Sequence, residues 1–294
     1  MSAHRNYGLS ILVAGASGRL RPIVETLLTG GHRVKVTARD PNASRVRVLL
    51  DRGAEIVKAD LDDPRSLALA MEDVEVVFAA GSPHQAAPQG ETRHGINVAE
   101  AAAARGVVHL VFCSGAGAEV SSGVPVFESK RAVEQRIREL GIPHTILAPV
   151  YFMQNAFNPW NLDALSARTI PLPLPPDRPL QQLAVEDLAA VATAVIERGP
   201  IAHEQRIELA GDEISGEQAA AVLSRGTGRR FVFRQVPLEQ LPRAMRPLFE
   251  WLDRVGHRVD RGLLRERFPE IRWHSFGDWA TAREWTIETA RAQA

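Results

Sequence analysis

A single cysteine among 294 residues excludes an intrachain disulfide and suits a reducing compartment. Cys113 lies inside the apolar run 107–113, where a buried small side chain is expected rather than a reactive thiol. Charge of either sign in excess is also missing. The 35 Lys and Arg balance 35 Asp and Glu, so the broad field that non-specific nucleic-acid binding needs is absent. No apolar run approaches the length of a membrane span, and residues 1–10 lack the basic-then-apolar profile of a signal peptide. The nine histidines include no pair at metal-ligand spacing with Cys or carboxylate support, which argues against a metal site. Cys113-Ser-Gly-Ala-Gly117 lacks the first glycine of a serine-hydrolase elbow. These absences point to a cytoplasmic protein without a nucleic-acid or membrane partner; a small-molecule substrate and a monomer or homodimer are expected, though the absences themselves do not give them.

What is present begins at residues 9–18, Leu-Ser-Ile-Leu-Val-Ala-Gly-Ala-Ser-Gly. An apolar strand runs into a glycine turn that opens a helix. Small residues at Gly15, Ala16, Ser17 and Gly18 let backbone N–H groups approach a diphosphate, and the helix points its partial positive end at the same place. A stripe at Ile23, Val24, Leu27 and Leu28 packs that helix on a sheet. A glycine turn alone is common; a strand–turn–helix context makes it a dinucleotide site.

The first half alternates strands, at about 9–14, 33–38, 55–59, 75–79, 107–113 and 143–148, with helices at about 18–30, 43–52, 64–72, 89–105 and 127–140. Gly30-Gly31, Gly53, Gly106 and Gly141 stand where helices stop. The pattern predicts an α/β fold: a doubly wound parallel (Rossmann) sheet covered by helices on both faces. The proline-rich stretch Pro171–Pro176 reads as a loop or extended connector. Beyond it come a helix near 185–198, a strand near 204–210, a helix near 215–225, a strand near 230–236 and an amphipathic helix at about 238–255. This mixture is too thin for a large core of its own. The expected division is therefore a cofactor-binding domain, 1–155, and a smaller α+β lobe, 156–294, that binds substrate and returns some elements to the main sheet. The arginines between 225 and 272 read as a solvated face balanced by Glu and Asp.

Several residues carry candidate chemistry. Arg39 ends the second strand, where a guanidinium accommodates a ribose 2′-phosphate and so favours NADP over NAD; the adjacent Asp40 is the competing ribose contact. Asp60 either accepts from an adenine amino group or caps the turn Asp60-Leu-Asp-Asp-Pro64. Ala79-Ala-Gly81 is small enough for a backbone to lie against a ribose. Ser114 ends the fifth strand. Lys130, early in the helix Glu128-Ser-Lys-Arg-Ala-Val-Glu134, either bonds the nicotinamide ribose, orients a proton donor, or is simply solvated.

The ordered series Gly15-Ala-Ser-Gly18, Thr37-Ala-Arg39, Lys58-Ala-Asp-Leu61, Ser129-Lys130, Gly141–Pro149, Tyr151-Phe-Met-Gln-Asn155 and Val185–Ala189 resembles the NmrA-like family of atypical short-chain dehydrogenase/reductase proteins, which bind NADP. The likeness covers most of the chain and is weakest after about 215. It implies a Rossmann domain, a small carboxyl-terminal lobe and a cleft between them. It also implies a cofactor-binding set of Gly15, Ala16, Ser17, Gly18, Arg19, Leu20, Arg39, Asp60, Leu61, Ala80, Gly81, Lys130, Tyr151, Phe152 and Asn155, with Lys130 and Tyr151 as catalytic candidates.

Two departures matter. Arg21 occupies the position of a third glycine, so its side chain either swings outward or fills part of the pyrophosphate site; Pro22 is at home in a first helical turn. Four residues before Lys130, where short-chain reductases carry a proton-donating tyrosine, stands Val126, followed by Phe127. Only Tyr7 and Tyr151 are present in the chain. The proton donors that remain are Lys130, Tyr151, Ser114, His84 in an expected loop at 81–90, and water. Met153, Phe157 and Trp160 either line an apolar substrate cleft or pack as core. The resemblance implies an NADPH-dependent oxidoreductase acting on a small organic molecule. The alternatives are a regulator that binds NADP(H) without turning it over, and a non-redox isomerase or cyclase.

Overall fold

Short apolar runs bracketed by glycine become strands because they are too short to be amphipathic helices and bury both faces. The computed structural model describes residues 8–15, 20–81, 83–158, 161–199, 205–283 and 285. In chain order it contains β1 (Ser10–Ala14), α1 (Arg21–Thr29), β2 (Arg33–Ala38), α2 (Ser44–Leu50), β3 (Glu55–Lys58), α3 (Pro64–Ala70), β4 (Val76–Ala80), α4 (Pro83–Arg105), β5 (His109–Cys113), α5 (Pro125–Leu140) and β6 (His144–Pro149). There follow β7 (Tyr151–Phe152), α6 (Leu162–Ser166), β8 (Thr169–Leu172), β9 (Leu180–Leu183), α7 (Val185–Arg198), β10 (Gln205–Leu209), β11 (Asp212–Ile214), α8 (Gly216–Thr227), β12 (Val232–Gln235), α9 (Arg246–Arg254), α10 (Arg261–Arg267) and α11 (Phe276–Thr281).

The main sheet has the order β10-β6-β5-β4-β1-β2-β3, and the neighbouring pairs from β3 through β6 are parallel. This is the doubly wound order, with its switch point between β1 and β4. Every residue of β1, β4, β5 and β6 is buried, whereas the edge strand β3 is only partly so. Gly31, Gly53, Gly106 and Gly141 all take positive φ just after helices, as stops should.

The chain divides into two compact units: 1–121 with 126–148 and 189–207, and 122–125 with 149–188 and 208–294. In the first, Leu12, Leu67, Val77, Val98, Leu110, Phe112, Val133 and Ile137 belong to one apolar cluster. The second is not too thin for a core. One cluster gathers Met153, Phe157, Leu223, Phe276 and the fully buried Trp279; another gathers Leu174, Leu180, Phe249 and Leu252. That unit also holds a three-stranded sheet, β11-β9-β7, which periodicity does not reveal because its strands are only two to four residues long.

Three expectations are corrected. The 81–90 stretch is not a loop: α4 begins at Pro83, where a missing N–H costs nothing, and continues through Pro88. Thr169–Leu172 is a strand despite Pro171; among the described residues it pairs only with β12, which leaves the proline an edge for the hydrogen bond it cannot make. The helix expected at 238–255 is two short 3₁₀ turns, Leu238–Gln240 and Arg243–Met245, followed by α9. Pro242 interrupts it, and Pro247 fits the first turn of what remains. Among the described residues no helix is long and apolar enough to cross a membrane.

Candidate functional site

The candidate residues of the first unit follow the carboxyl ends of adjacent parallel strands: Gly15 after β1, Arg39 after β2, Asp60 after β3, Gly81 after β4 and Ser114 after β5. Gly15 has φ +82°, and a Cβ there would run into the carbonyl oxygen of Ala80. Only glycine permits strands β1 and β4 to end this close together. Ala16, Ser17, Gly18 and Arg19 lie outside the described residues. Leu20 is the N-cap of α1, which receives no side-chain cap and has no acidic residue in its first turn. Within that turn Pro22 has no N–H and Ile23 donates its own to the Leu20 carbonyl at 3.0 Å, so α1 offers an anion its positive end and the Arg21 amide rather than a row of free amides. Arg21 does not enter that space. Its side chain is half exposed and turns along the helix to Glu25, 3.4 Å away, which Arg52 also contacts at 3.1 Å.

The rim is built from tight turns. Asp40 is committed to one, its Oδ1 accepting the Asn42 N–H at 2.9 Å, whereas the exposed Arg39 guanidinium has no partner among the described residues. Asp60 Oδ1 likewise accepts the Asp62 N–H at 3.0 Å, while Asp63, not Asp60, caps α3. The Asp62 carboxyl is held at about 2, chiefly by its hydrogen bond from Arg93 (2.6 Å) and then by His94. The Leu61 carbonyl accepts from Asn97 Nδ2 at 2.8 Å, and its side chain rests on the core of the first unit.

Beneath the rim the floor is buried and charged. Lys130 Nζ lies 2.7 Å from Glu91 Oε1, with side-chain exposures of 13% and 2%. Burial pushes the lysine down, but the charge and hydrogen bond of Glu91 outweigh it, so its pKa rises above the ordinary 10.5. Burial pushes the Cys113 thiol up to about 11, which keeps it neutral. Ala80 is buried, and a Cβ at Gly81 would overlap the Glu91 carboxylate. Ser114 Oγ donates to Glu134 at 2.5 Å, and Glu134 is also met by Arg138 (2.8 Å) and Arg206 (3.3 Å).

A model of the NmrA-like family matches residues 9–256. The chain belongs to that family. Along 97% of its length it is 30% identical to a (4-alkanoyl-5-oxo-2,5-dihydrofuran-3-yl)methyl phosphate reductase of Streptomyces griseus, covering 99% of that protein. It is 29% identical to an NAD(P)H azoreductase of Xenophilus azovorans, over 80% of each chain. Its fold matches the triphenylmethane reductase of Citrobacter sp., solved with NADP(H), at TM-score 0.78 and 20% identity, over 93% of this chain and 99% of that one. It matches NmrA, a negative transcriptional regulator solved with NADP, at TM-score 0.76 and 19% identity, over 97% and 98%.

In this NmrA-like chain the second unit holds the remaining candidates. Tyr151 and Phe152 pair with β9 and are half-buried; the Tyr151 ring meets Phe249 edge-on, 6.3 Å between centroids. The Asn155 carbonyl accepts from Asn161 at 3.1 Å. Met153 and Phe157 are buried core rather than cleft wall. Tyr7, Trp160 and the His84 side chain lie outside the described residues. Asp187, in the Val185–Ala189 segment, accepts from His274 Nδ1 at 2.5 Å, a bond that raises the histidine's pKa.

Sequence reading missed Glu91, Glu134 and Arg206. A signal existed for the first two. Glu91 shares the helical face of Gly95, Val98 and Ala102, all buried, and Glu134 shares that of Phe127, Lys130 and Ile137. A carboxylate on an apolar stripe needs a buried cation. Arg206 gave none, because only the fold brings β10 beside β6.

Proposed function

We propose that this chain binds NADP(H) and is an NADPH-dependent oxidoreductase reducing a small organic substrate. The observation that carries the reading is the Gly15 turn, too close to Ala80 for any side chain, beside a helix start without a side-chain cap, with an Arg39 guanidinium after the neighbouring strand that has no partner among the described residues. These features fit a dinucleotide: small backbone and a positive helix end for the pyrophosphate, a guanidinium for the 2′-phosphate. The names of the relatives, a phosphate-ester reductase and an azoreductase, support reduction as the chemistry.

In this reading Gly15, Ala16, Ser17, Gly18, Arg19 and Leu20 hold the pyrophosphate, and Arg39 the 2′-phosphate. Asp60 uses its second carboxylate oxygen toward the adenine beside Leu61, because the first is spent on the turn. Ala80 and Gly81 offer backbone to a ribose, Lys130 bonds the nicotinamide ribose, and Tyr151, Phe152 and Asn155 flank the nicotinamide. Residues 156–294, apart from the 189–207 stretch that belongs to the first unit, supply the substrate lobe, and the setting is cytoplasmic. Bound NADPH supplies the hydride. The proton comes from Lys130, Tyr151, Ser114, His84 or water; in this structure Lys130 faces the Glu91 carboxylate and Ser114 that of Glu134.

Titrating the protein into NADPH and following nicotinamide fluorescence tests binding. Oxidation of that NADPH with quinones, imines, carbonyls or azo compounds tests turnover. Tight binding with no oxidation across the panel would favour the second reading, a redox-sensing regulator, which the absence of a tyrosine at Val126 supports. Arg21 turned onto Glu25 removes the main reason for the third, a non-redox enzyme with an altered cofactor site.

A further inference from the structure

We propose that Glu91 is the positioning residue for Lys130: it fixes the ammonium at the carboxyl ends of β4 and β5. The cofactor contact of Lys130 rests on the reading above; its dependence on Glu91 does not.

The carboxylate is constrained on three sides. One oxygen takes the Lys130 ammonium, and the other accepts from Ser129 Oγ at 2.9 Å. The missing side chain of Gly81 makes room for it. One turn along α4, Gly95 faces Val133 so closely that a Cβ would collide, which draws α4 and α5 together. Thr92 Oγ1 also reaches the Ser129 carbonyl at 3.2 Å. Burying two charges is a poor way to stabilise a fold, because desolvation offsets much of their attraction. What such a pair does provide is a cation held in one place.

Other groups facing Lys130 cannot replace Glu91. Cys113, on β5, is a neutral thiol, and the Glu134 carboxylate on α5 is already met by Arg138 and Arg206. Without Glu91, burial is opposed chiefly by the weaker pull of Glu134, and the lysine's pKa falls.

Lys130 is one of only three lysines, with Lys35 and Lys58, so side-chain NMR of protein grown on ¹³C-lysine yields three Cε signals. Lys130→Arg identifies the one of interest. In the cofactor-free wild type this signal is expected to titrate above 10.5, and in Glu91→Gln at least about one pH unit lower. Gly81→Ala, which crowds the carboxylate, is expected to move it the same way and carries the test if Glu91→Gln does not fold. An unmoved signal in these variants overturns the proposal. NADPH titration then separates the two claims. Affinity is then compared at pH 7 and at one unit above the lysine pKa found for Glu91→Gln: wild type is expected to weaken by less than about twofold and Glu91→Gln by about tenfold. A shifted lysine with a flat affinity profile overturns the positioning role. No NADPH binding by any protein, with the lysine still shifted, leaves Glu91 holding Lys130 and refutes the cofactor reading instead.

Discussion

The rim and the floor of the candidate site contain ion pairs of nearly equal length and very different consequence. At the rim Arg93 meets Asp62 at 2.6 Å in the open; on the floor Lys130 meets Glu91 at 2.7 Å with almost no water access. Exposed pairs are screened and contribute little, whereas a buried pair that loses one member leaves a charge with no solvent and no partner. The shorter contact is therefore the weaker one. Burial, not distance, ranks these interactions, and it leaves the floor the more firmly fixed of the two.

The largest effect should come from breaking the floor. Lys130→Ala leaves Glu91 buried and alone and is expected to cost on the order of 3–5 kcal/mol in urea unfolding. Glu91→Gln combined with Lys130→Met should recover most of that loss. Arg93→Ala should leave the unfolding midpoint where it was; equal losses from Lys130→Ala and Arg93→Ala would erase the distinction. The two pairs also fail at opposite ends of the pH scale. Lys130 is raised, so its stabilisation is complete below 10.5 and disappears as pH climbs through the higher folded value. Asp62 is lowered to about 2, so its contribution is present above 3.8 and disappears as pH falls toward 2, and added salt should weaken it.

Next in size is the seam where β1 and β4 end. Gly15→Ala forces an L side chain into positive φ and into a backbone carbonyl that cannot move aside. A loss of about 2–4 kcal/mol is expected, together with loss of NADPH fluorescence enhancement. Wild-type stability and affinity in this variant would mean that the turn relaxes, and the argument from its close approach to Ala80 would fail.

The same contrast explains what could be read from sequence. Rim features are local: Gly15 beside its helix, Arg39 at a strand end, Asp60 bonded two residues on, so their spacing is visible in one short window. The central strands β1, β4, β5 and β6 were equally legible, since each is a buried run closed by a turn. The floor joins residues 81, 91 and 130, and then 114, 134 and 206, which only the crossovers of the sheet bring together. Gly81 illustrates the difference. Sequence reading gave it to a ribose, and the structure also makes it the recess for Glu91. The second unit was least legible because its strands are too short for periodicity, and its core depends on residues as far apart as Met153 and Trp279.

At the rim, Arg39→Ala sharpens the selectivity argument. Losing a charge-assisted contact to the 2′-phosphate should weaken NADPH binding by about 1.5–3 kcal/mol while NADH affinity changes by less than about threefold. An equal loss for both cofactors would show that Arg39 does not read the phosphate.

The smallest expected effect is the most discriminating for the family pattern. Arg21 stands where a glycine is usual, and a side chain filling the pyrophosphate site would make Arg21→Gly improve affinity sharply. The side chain instead lies along α1 against Glu25, an exposed contact of little energetic weight. At the first position of the helix the added glycine also costs less than it would in the interior, because that residue donates no intrahelical bond. NADPH affinity in Arg21→Gly should therefore stay within about twofold of wild type. A gain of about tenfold or more, 1.4 kcal/mol by the usual conversion, would mean that the guanidinium competes with the phosphates and that its outward pose is not the one that governs binding.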